Sequence, residues 1–238
     1  MFICATAGAA AVAVFAKAPV AGLAKTRLAS ALGVHGAARL QRHLTLQALT
    51  TARAAALGPV SLWCAPDTSH RFFRALRLRC ALPCQEQQGA TLGERMATAF
   101  RRHLSSRPLL LIGTDCPTLT ADHLRAAGTA LQTVDAAFYP AVDGGYVLIG
   151  LRRLHPALFR DIPWGTSLVM QQTRWRLERL EWSWWEGEAL HDVDTVGDLE
   201  YLPQDLRHCV MARADFETTP GTLSSADEHF THNTPSND

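Results

Sequence analysis

VAVFAKAPVAGLAKTRL, residues 12–28, is the stretch on which the reading of this chain turns. An apolar run passes into a loop carrying Pro19 and Gly22, and Lys25, Thr26 and Arg27 follow where a helix is expected to begin. Only two of the 23 basic residues in the chain are lysines, Lys17 and Lys25, and both stand in this loop. A compact ammonium on a flexible stem is a point-charge partner for phosphate. A strand that turns through glycine into a helix also gathers free N–H groups and the positive end of the helix dipole. The plainer alternative is a solvated basic loop after a buried strand.

On either side of this loop strands alternate with helices. The first strand is read over Ala10–Ala16, with helical spacing from about Lys25 through Leu32 and again over Ala37–Leu57, ending at Gly58 and Pro59. Val60–Cys64 reads as a strand, Thr68–Leu76 as a short helix and Arg79–Gln85 as a short strand. Thr91–Leu104 reads as a helix with Glu94 placed for a capping box. Pro108–Gly113, PLLLIG, is the strongest buried-strand signal and leads into Asp115 and Pro117, with a helix over Ala121–Leu131 capped by Thr120. Ala136–Pro140 and Tyr146–Leu151 read as strands around Asp143, Gly144 and Gly145. A brief helix at Pro156–Phe159, a longer one at Thr166–Leu180, a sheet edge with Trp182, Trp184 and Trp185, and a last helix over Val196–Leu206 complete the pattern. Such alternation predicts a mainly parallel α/β sheet covered by helices on both faces.

At 238 residues the chain suffices for one large domain, expected over residues 10–206, with a loose leader over 1–9 and a disordered acidic tail over 207–238. Residues 1–213 carry 23 basic against 17 acidic groups, an excess that suits a small anionic ligand better than nucleic acid. The six scattered cysteines form no disulfide framework, and Cys80 with Cys84 has no matching second pair for zinc, so reduced thiols and a cytoplasmic location are expected. The uncharged first 16 residues lack a basic n-region, and no segment is apolar and long enough to span a bilayer.

In an open α/β sheet, ligands bind at the carboxyl ends of the strands. The loops there carry Lys17, Gly22, Lys25 and Arg27 after the first strand, Asp115 after PLLLIG, and Asp143, Gly144 and Gly145 after AAFYP, with Asp194 near the end of the sheet. Cations on one side and carboxylates on the other suit a nucleotide phosphate held with Mg²⁺. Asp115 sits too early to cap the helix after Thr120 and is read as a metal ligand; Asp194 is either a second ligand or a cap of the last helix. Gly144 and Gly145 either admit a ligand to the backbone or simply form a hairpin. Asp143 is a turn residue or a carboxylate facing the acceptor, while Asp192 and Asp198 are read as local turn and helix-surface residues.

Six motifs in one order carry a resemblance: KAPVAGLAKTRL, QQGATLGERMATAF (87–100), GTDCPTL (113–119), YPAVDGGYVLIGL (139–151), PWGTS (163–167) and HDVDTVGDL (191–199). The chain resembles, over about residues 10–206, a bacterial family of uncharacterised GT-A-fold transferases labelled glycosyltransferase or radical-SAM/selenodomain-associated transferase. That family is similar to the guanylyltransferases that activate phospholactate and the molybdenum cofactor. The resemblance implies a Rossmann-like nucleotide-diphospho-sugar transferase fold. It further implies that Lys25 and Arg27 contact phosphate, that Gly22 gives backbone room, and that Asp115 with Asp194 holds Mg²⁺ or Mn²⁺; Lys17, from the same loop, is read as a supporting contact.

The implied activity is Mg²⁺-dependent glycosyl transfer from a nucleotide sugar, with Asp143 activating an acceptor that the sequence does not identify. The alternative is nucleotidylyl transfer from a nucleoside triphosphate, with Lys25 and Arg27 neutralising the departing pyrophosphate. A non-catalytic nucleotide-binding module is the third reading. The loop chemistry favours nucleotidylyl transfer, and the family label favours glycosyl transfer.

Overall fold

The computed structural model describes residues 9–104, 107–204 and 206–207. Apart from residues 9 and 207, the expected leader and acidic tail lie outside the described residues. Seven strands, β1 (Ala11–Lys17), β2 (Val60–Ala65), β3 (Cys84–Glu86), β4 (Leu109–Ile112), β5 (Ala136–Pro140), β6 (Tyr146–Leu151) and β7 (Trp184–Glu186), form one sheet in the order β3-β2-β1-β4-β6-β5-β7. Only β6 runs antiparallel to its neighbours, β4 and β5. The expected mainly parallel, doubly covered sheet is therefore the one observed.

Side chains along a strand point alternately to the two faces, and β1 shows how this builds two cores. Val12, Val14 and Ala16 face α1 (Ala29–Ala54), α2 (Arg71–Arg79) and α4 (Ala121–Ala130), whose Leu49, Phe73 and Leu124 share their cluster. Ala11, Ala13 and Phe15 face the other way, toward α3 (Leu92–His103) and α5 (Val169–Arg179), with Phe100 and Leu177. The three tryptophans lie at the β7 edge as expected, with Trp185 edge-on to Tyr139, their ring centroids 5.4 Å apart.

A third, smaller core matters most for the site. Leu28, Leu32, Leu40 and Leu44, from the start and first half of α1 and the turn before it, pack against Val193, Leu199 and Leu202. Segments 165 residues apart in sequence, at Leu28 and Val193, are thereby held together, and Val193 N donates to the carbonyl of Asp115 at 2.8 Å.

Three expectations change in detail. Lys25 does not begin an α-helix: it has left-handed backbone (φ 49°, ψ 44°), a 3₁₀ turn follows over Thr26–Leu28, and α1 starts at Ala29. Gly33 (φ 66°, ψ 164°) breaks α1 after its first turn, close to the gap read between Leu32 and Ala37. Thr91 caps α3 by accepting from Glu94 N, but the Glu94 carboxylate accepts from Ala90 N instead of closing the box on Thr91. The last helix is interrupted: a 3₁₀ turn over Gly197–Tyr201 ends at Leu202, which precedes Pro203 and is extended (φ −67°, ψ 140°), and helical backbone resumes at Gln204.

Gly144 and Gly145 form the hairpin between β5 and β6, with Gly144 N donating to Ala141 O and Ala141 N to Gly145 O. At Gly144 (φ 92°) a Cβ would lie 2.2 Å from the Ser167 carbonyl oxygen, so glycine there lets the chain before α5 lie on the hairpin. Positive φ and a backbone clash together predict that Gly144→Ala destabilises the protein by about 2 kcal/mol or more. A urea melt with a midpoint equal to that of the wild type would contradict this.

Candidate functional site

A cleft of about 570 Å³ opens over the carboxyl ends of β1 and β4. Lys17, Lys25 and Arg27 line it together with Asp115, Asp143, Asp192 and Asp194. Gly22, Gly144 and Gly145 do not line it: Gly22 (φ 78°) shapes the loop, and the other two serve the hairpin. The same loop borders a second cleft of about 630 Å³ between α1 and α2, where Arg42, Arg71, His35 and His70 gather without a carboxylate among the described lining residues. We place the chemistry in the smaller cleft because it alone combines cations with carboxylates at the strand ends.

The Lys25 ammonium is the hub of that cleft. Nζ lies 2.8 Å from Asp115 Oδ1 and 2.9 Å from Asp194 Oδ1, and donates to the Val193 carbonyl at 2.6 Å. Its side chain is 4% exposed, whereas those of Asp115 and Asp194 are 44% and 43% exposed. Burial alone lowers the pKa of Lys25, but the two carboxylates and their hydrogen bonds outweigh it, so the group stays charged with its pKa above the ordinary lysine value. Three short acceptors satisfy all three donors of the ammonium.

Folding delivers these groups by separate routes. Asp115 follows β4, and a buried polar chain leads to it: Gln41 Nε2 donates to Thr114 Oγ1 at 3.1 Å, and Thr114 Oγ1 donates to Asp115 Oδ1 at 3.3 Å. Gln41 and Thr114 are 3% and 5% exposed, so burial restricts how each can reorient. Asp194 follows Val193, which is fully buried, and Asp192 and Asp194 on either side of it both line the cleft. Asp194 does not cap the last turn. Instead Asp198 Oδ2 accepts from Asp194 N at 3.0 Å and Thr195 N at 2.6 Å, fixing the backbone from which Asp194 projects. His191 stacks on Tyr201 with ring centroids 3.9 Å apart, steadying the same segment.

Asp192 is not the local turn residue read from the sequence. It lines the cleft, and burial together with the carboxylates of Asp143, Asp194 and Asp115 pushes its pKa up to about 6. Asp143 does take the turn role, its Oδ1 accepting from Gly145 N at 2.9 Å, yet it also lines the cleft. Leu23 and Leu92, 74% and 45% exposed, add apolar surface to the lining. Gln41, Gln87, Leu23 and Leu92 carry no sequence signal that sets them apart from solvated or packing residues. Asp192 does: its two-residue spacing from Asp194 would put both carboxylates on one side of an extended segment.

The donor set fits a small hard divalent cation. Four carboxylates line one cleft, and burial first, with the neighbouring carboxylates second, raises the pKa of Asp192 there. Among the described residues no three carboxyl, imidazole or thiol groups converge into a cage. An open set is what Mg²⁺ uses when it keeps water and substrate phosphate among its ligands.

A family model described as "Uncharacterized protein conserved in bacteria (DUF2064)" matches residues 45–166. The chain belongs to the DUF2064 family. The matched stretch contains Asp115 and Asp143, while Lys25, Asp192 and Asp194 lie outside it. Among solved structures, this DUF2064 protein is similar to one from Desulfovibrio desulfuricans described as a "putative nucleotide-diphospho-sugar transferase". The two are 29% identical, with a TM-score of 0.78, over 88% of this chain and 96% of that one. At the level of fold it is similar to a CMP:2-keto-3-deoxy-manno-octonic acid synthetase complexed with CTP: 12% identity, TM-score 0.51, 86% of this chain and 99% of that one. A 4-diphosphocytidyl-2C-methyl-D-erythritol synthase from Anaerococcus prevotii is similar in the same sense: 10% identity, TM-score 0.52, 87% and 97%. No curated protein matches the DUF2064 chain. Its fold is the Rossmann-like one of nucleotide-diphospho-sugar transferases and nucleotidyltransferases. Among its described residues no helix is long and apolar enough to cross a membrane.

Asp192 also supplies a pH test. An acid whose folded pKa is raised favours folding when protonated, and that contribution is lost as pH rises through the folded value, here about 6. Asp192→Asn is therefore expected to raise the melting temperature at pH 8 and to give a smaller gain at pH 5. An equal gain at both pH values, or a loss at pH 8, would show that the crowding of carboxylates does not load Asp192.

Proposed function

We propose that this protein is a metal-dependent nucleotidylyltransferase. In this reading it transfers a nucleoside monophosphate from a nucleoside triphosphate to a small acceptor and releases pyrophosphate. The observation that carries this is the Lys25 ammonium bound between Asp115 and Asp194 in a cleft that Lys17 and Arg27 also line. Three cations suit departing pyrophosphate, which carries more charge than the diphosphate end of a departing nucleoside diphosphate. The catalytic unit would be the domain over residues 10–206.

Each residue then has a task. Lys17, Lys25 and Arg27 bind and orient the phosphate chain, so that an acceptor oxygen meets the α-phosphorus in line with the bridging oxygen to the β-phosphate. The bond from the acceptor oxygen to the α-phosphorus forms as the bond from that phosphorus to the bridging oxygen breaks, and both electrons leave with pyrophosphate. When the acceptor is a hydroxyl, Asp143 takes its proton. Asp115 and Asp194 would hold Mg²⁺ or Mn²⁺, which supplies charge neutralisation at phosphate oxygens. Gln41 and Thr114 position Asp115 through the hydrogen-bonded chain.

Glycosyl transfer from a nucleotide sugar is the second reading, and one observation favours it. Asp143 and Asp192 lie close enough to couple electrostatically and line the same cleft, which offers carboxylates for an acceptor hydroxyl beside a departing nucleoside diphosphate.

A panel of nucleoside triphosphates with Mg²⁺ is expected to give pyrophosphate release with at least one base, and a panel of nucleotide sugars no metal-dependent hydrolysis. The reverse result would select glycosyl transfer. In a thermal-shift assay, Asp115→Ala is expected to abolish Mg²⁺-dependent stabilisation by nucleotide while leaving the circular dichroism spectrum unchanged. A shift as large as that of the wild type would remove Asp115 from the metal side of the site.

A further inference from the structure

A divalent ion would need the carboxylates that already hold an ammonium. Asp115 and Asp194 each direct Oδ1 at Lys25 Nζ, at 2.8 and 2.9 Å, and the Val193 carbonyl takes the third N–H at 2.6 Å. In this arrangement the ammonium is not free for phosphate. Its side chain is 4% exposed, and all three of its donors are used. A second cation on the same two carboxylates would sit within a few ångströms of it, where like charges in a partly buried site repel strongly.

We propose that Lys25 is a resident counter-ion that closes the metal site, and that Asp115 and Asp194 accept a divalent cation only when nucleotide phosphate draws the ammonium away. This rests on the reading of Asp115 and Asp194 as the metal side of the cleft. Phosphate and carboxylate compete for one point charge, and a flexible four-carbon stem lets that charge move between them. The divalent ion replaces the ammonium between the carboxylates and neutralises both, and the ammonium moves to the phosphate chain that arrives with the ion. The backbone of Lys25 suits a residue held by its side chain, since it is a non-glycine residue in the left-handed region with no capping hydrogen bond from its side chain. Lys17 lines the same cleft without an ion pair to either carboxylate, which makes it the natural control. Two consequences follow. Metal alone binds weakly to the resting protein, and the site does not gather divalent ions that would hydrolyse nucleotide out of turn.

The test is the affinity of the full-length chain for Mn²⁺ alone, read from the free-ion signal in electron paramagnetic resonance, with no nucleotide present. Lys25→Met is expected to bind Mn²⁺ at least tenfold more tightly than the wild type, and to gain more melting temperature from Mn²⁺. Lys25→Gln covers the case in which the methionine variant does not fold. Lys17→Met, which removes a nearby charge but not the occupant, is expected to change the affinity less than threefold. Adding Asp115→Asn to Lys25→Met is expected to erase the gain. If neither Lys25 variant binds more tightly while Asp115→Asn weakens the wild type, the metal site stands and the resident counter-ion is wrong. If Lys17→Met tightens binding as much as Lys25→Met, the effect is general electrostatics and the proposal is equally overturned. If Asp115→Asn changes nothing in any background, the proposal falls together with the reading it rests on.

Discussion

A buried ammonium is tolerated only when its charge is paired and its three donors are satisfied, and the site in this chain is organised around meeting that requirement. Lys25 needs Asp115 from the end of β4 and both Val193 and Asp194 from the far end of the chain. Those segments come together because Leu28, Leu32, Leu40 and Leu44 bury Val193 and Leu199 in a core of their own. The apolar contact and the ion pairs therefore depend on each other: without the small core the carboxylates have no fixed place, and without Lys25 two carboxylates face each other uncompensated. Breaking a buried pair by removing one partner costs about 3–5 kcal/mol in general. The half-exposed aspartates here place the cost toward the lower end.

The fold as a whole supplies direction to this cluster. Parallel pairing of β1 with β2 and β4 brings the ends of all three to one edge, so a basic loop and an acidic loop open onto the same cleft. The antiparallel β6 then turns the chain back through Asp143, and the bridge between Ala141 and Leu190 brings the segment carrying Asp192 alongside. Charge of both signs is thus concentrated in one cleft in a chain whose formal charge is only +1. The second cleft, between α1 and α2, has the cations without the carboxylates, which is why volume alone is a poor guide to chemistry here.

How much of this was legible in the sequence depends on whether the signal is local. Strand alternation, the apolar run PLLLIG and the Thr120 cap are short-range features that read correctly, while the Gly-Gly pair left a ligand contact and a hairpin open, and the structure forms the hairpin. The loop with both lysines stands out in the sequence because its composition is unusual within this chain, and Lys17, Lys25 and Arg27 do line the candidate cleft. What Lys25 does in it was not legible, since its partners lie 90 and 169 positions away and only the third core reveals that they meet. The helix expected to start at Lys25 failed for a related reason: tertiary contacts hold that residue in left-handed backbone, against its local propensity. Asp192 was misread because its two-residue spacing from Asp194 shows that the two carboxylates share a side but not whether that side meets solvent or other carboxylates. Only the sheet shows which.

The account makes one arrangement central: nucleotide phosphate against Lys17, Lys25 and Arg27, with metal at Asp115 and Asp194. A crystal structure of the protein with a nucleoside triphosphate analogue and Mn²⁺, read by anomalous scattering, tests it most directly. The predicted result is a manganese peak bridging Asp115, Asp194 and a phosphate oxygen, with the Lys25 ammonium moved from the carboxylates to the phosphate chain. Nucleotide lodged in the arginine-lined cleft between α1 and α2, with Lys25 still paired to both aspartates and no manganese beside them, would contradict it.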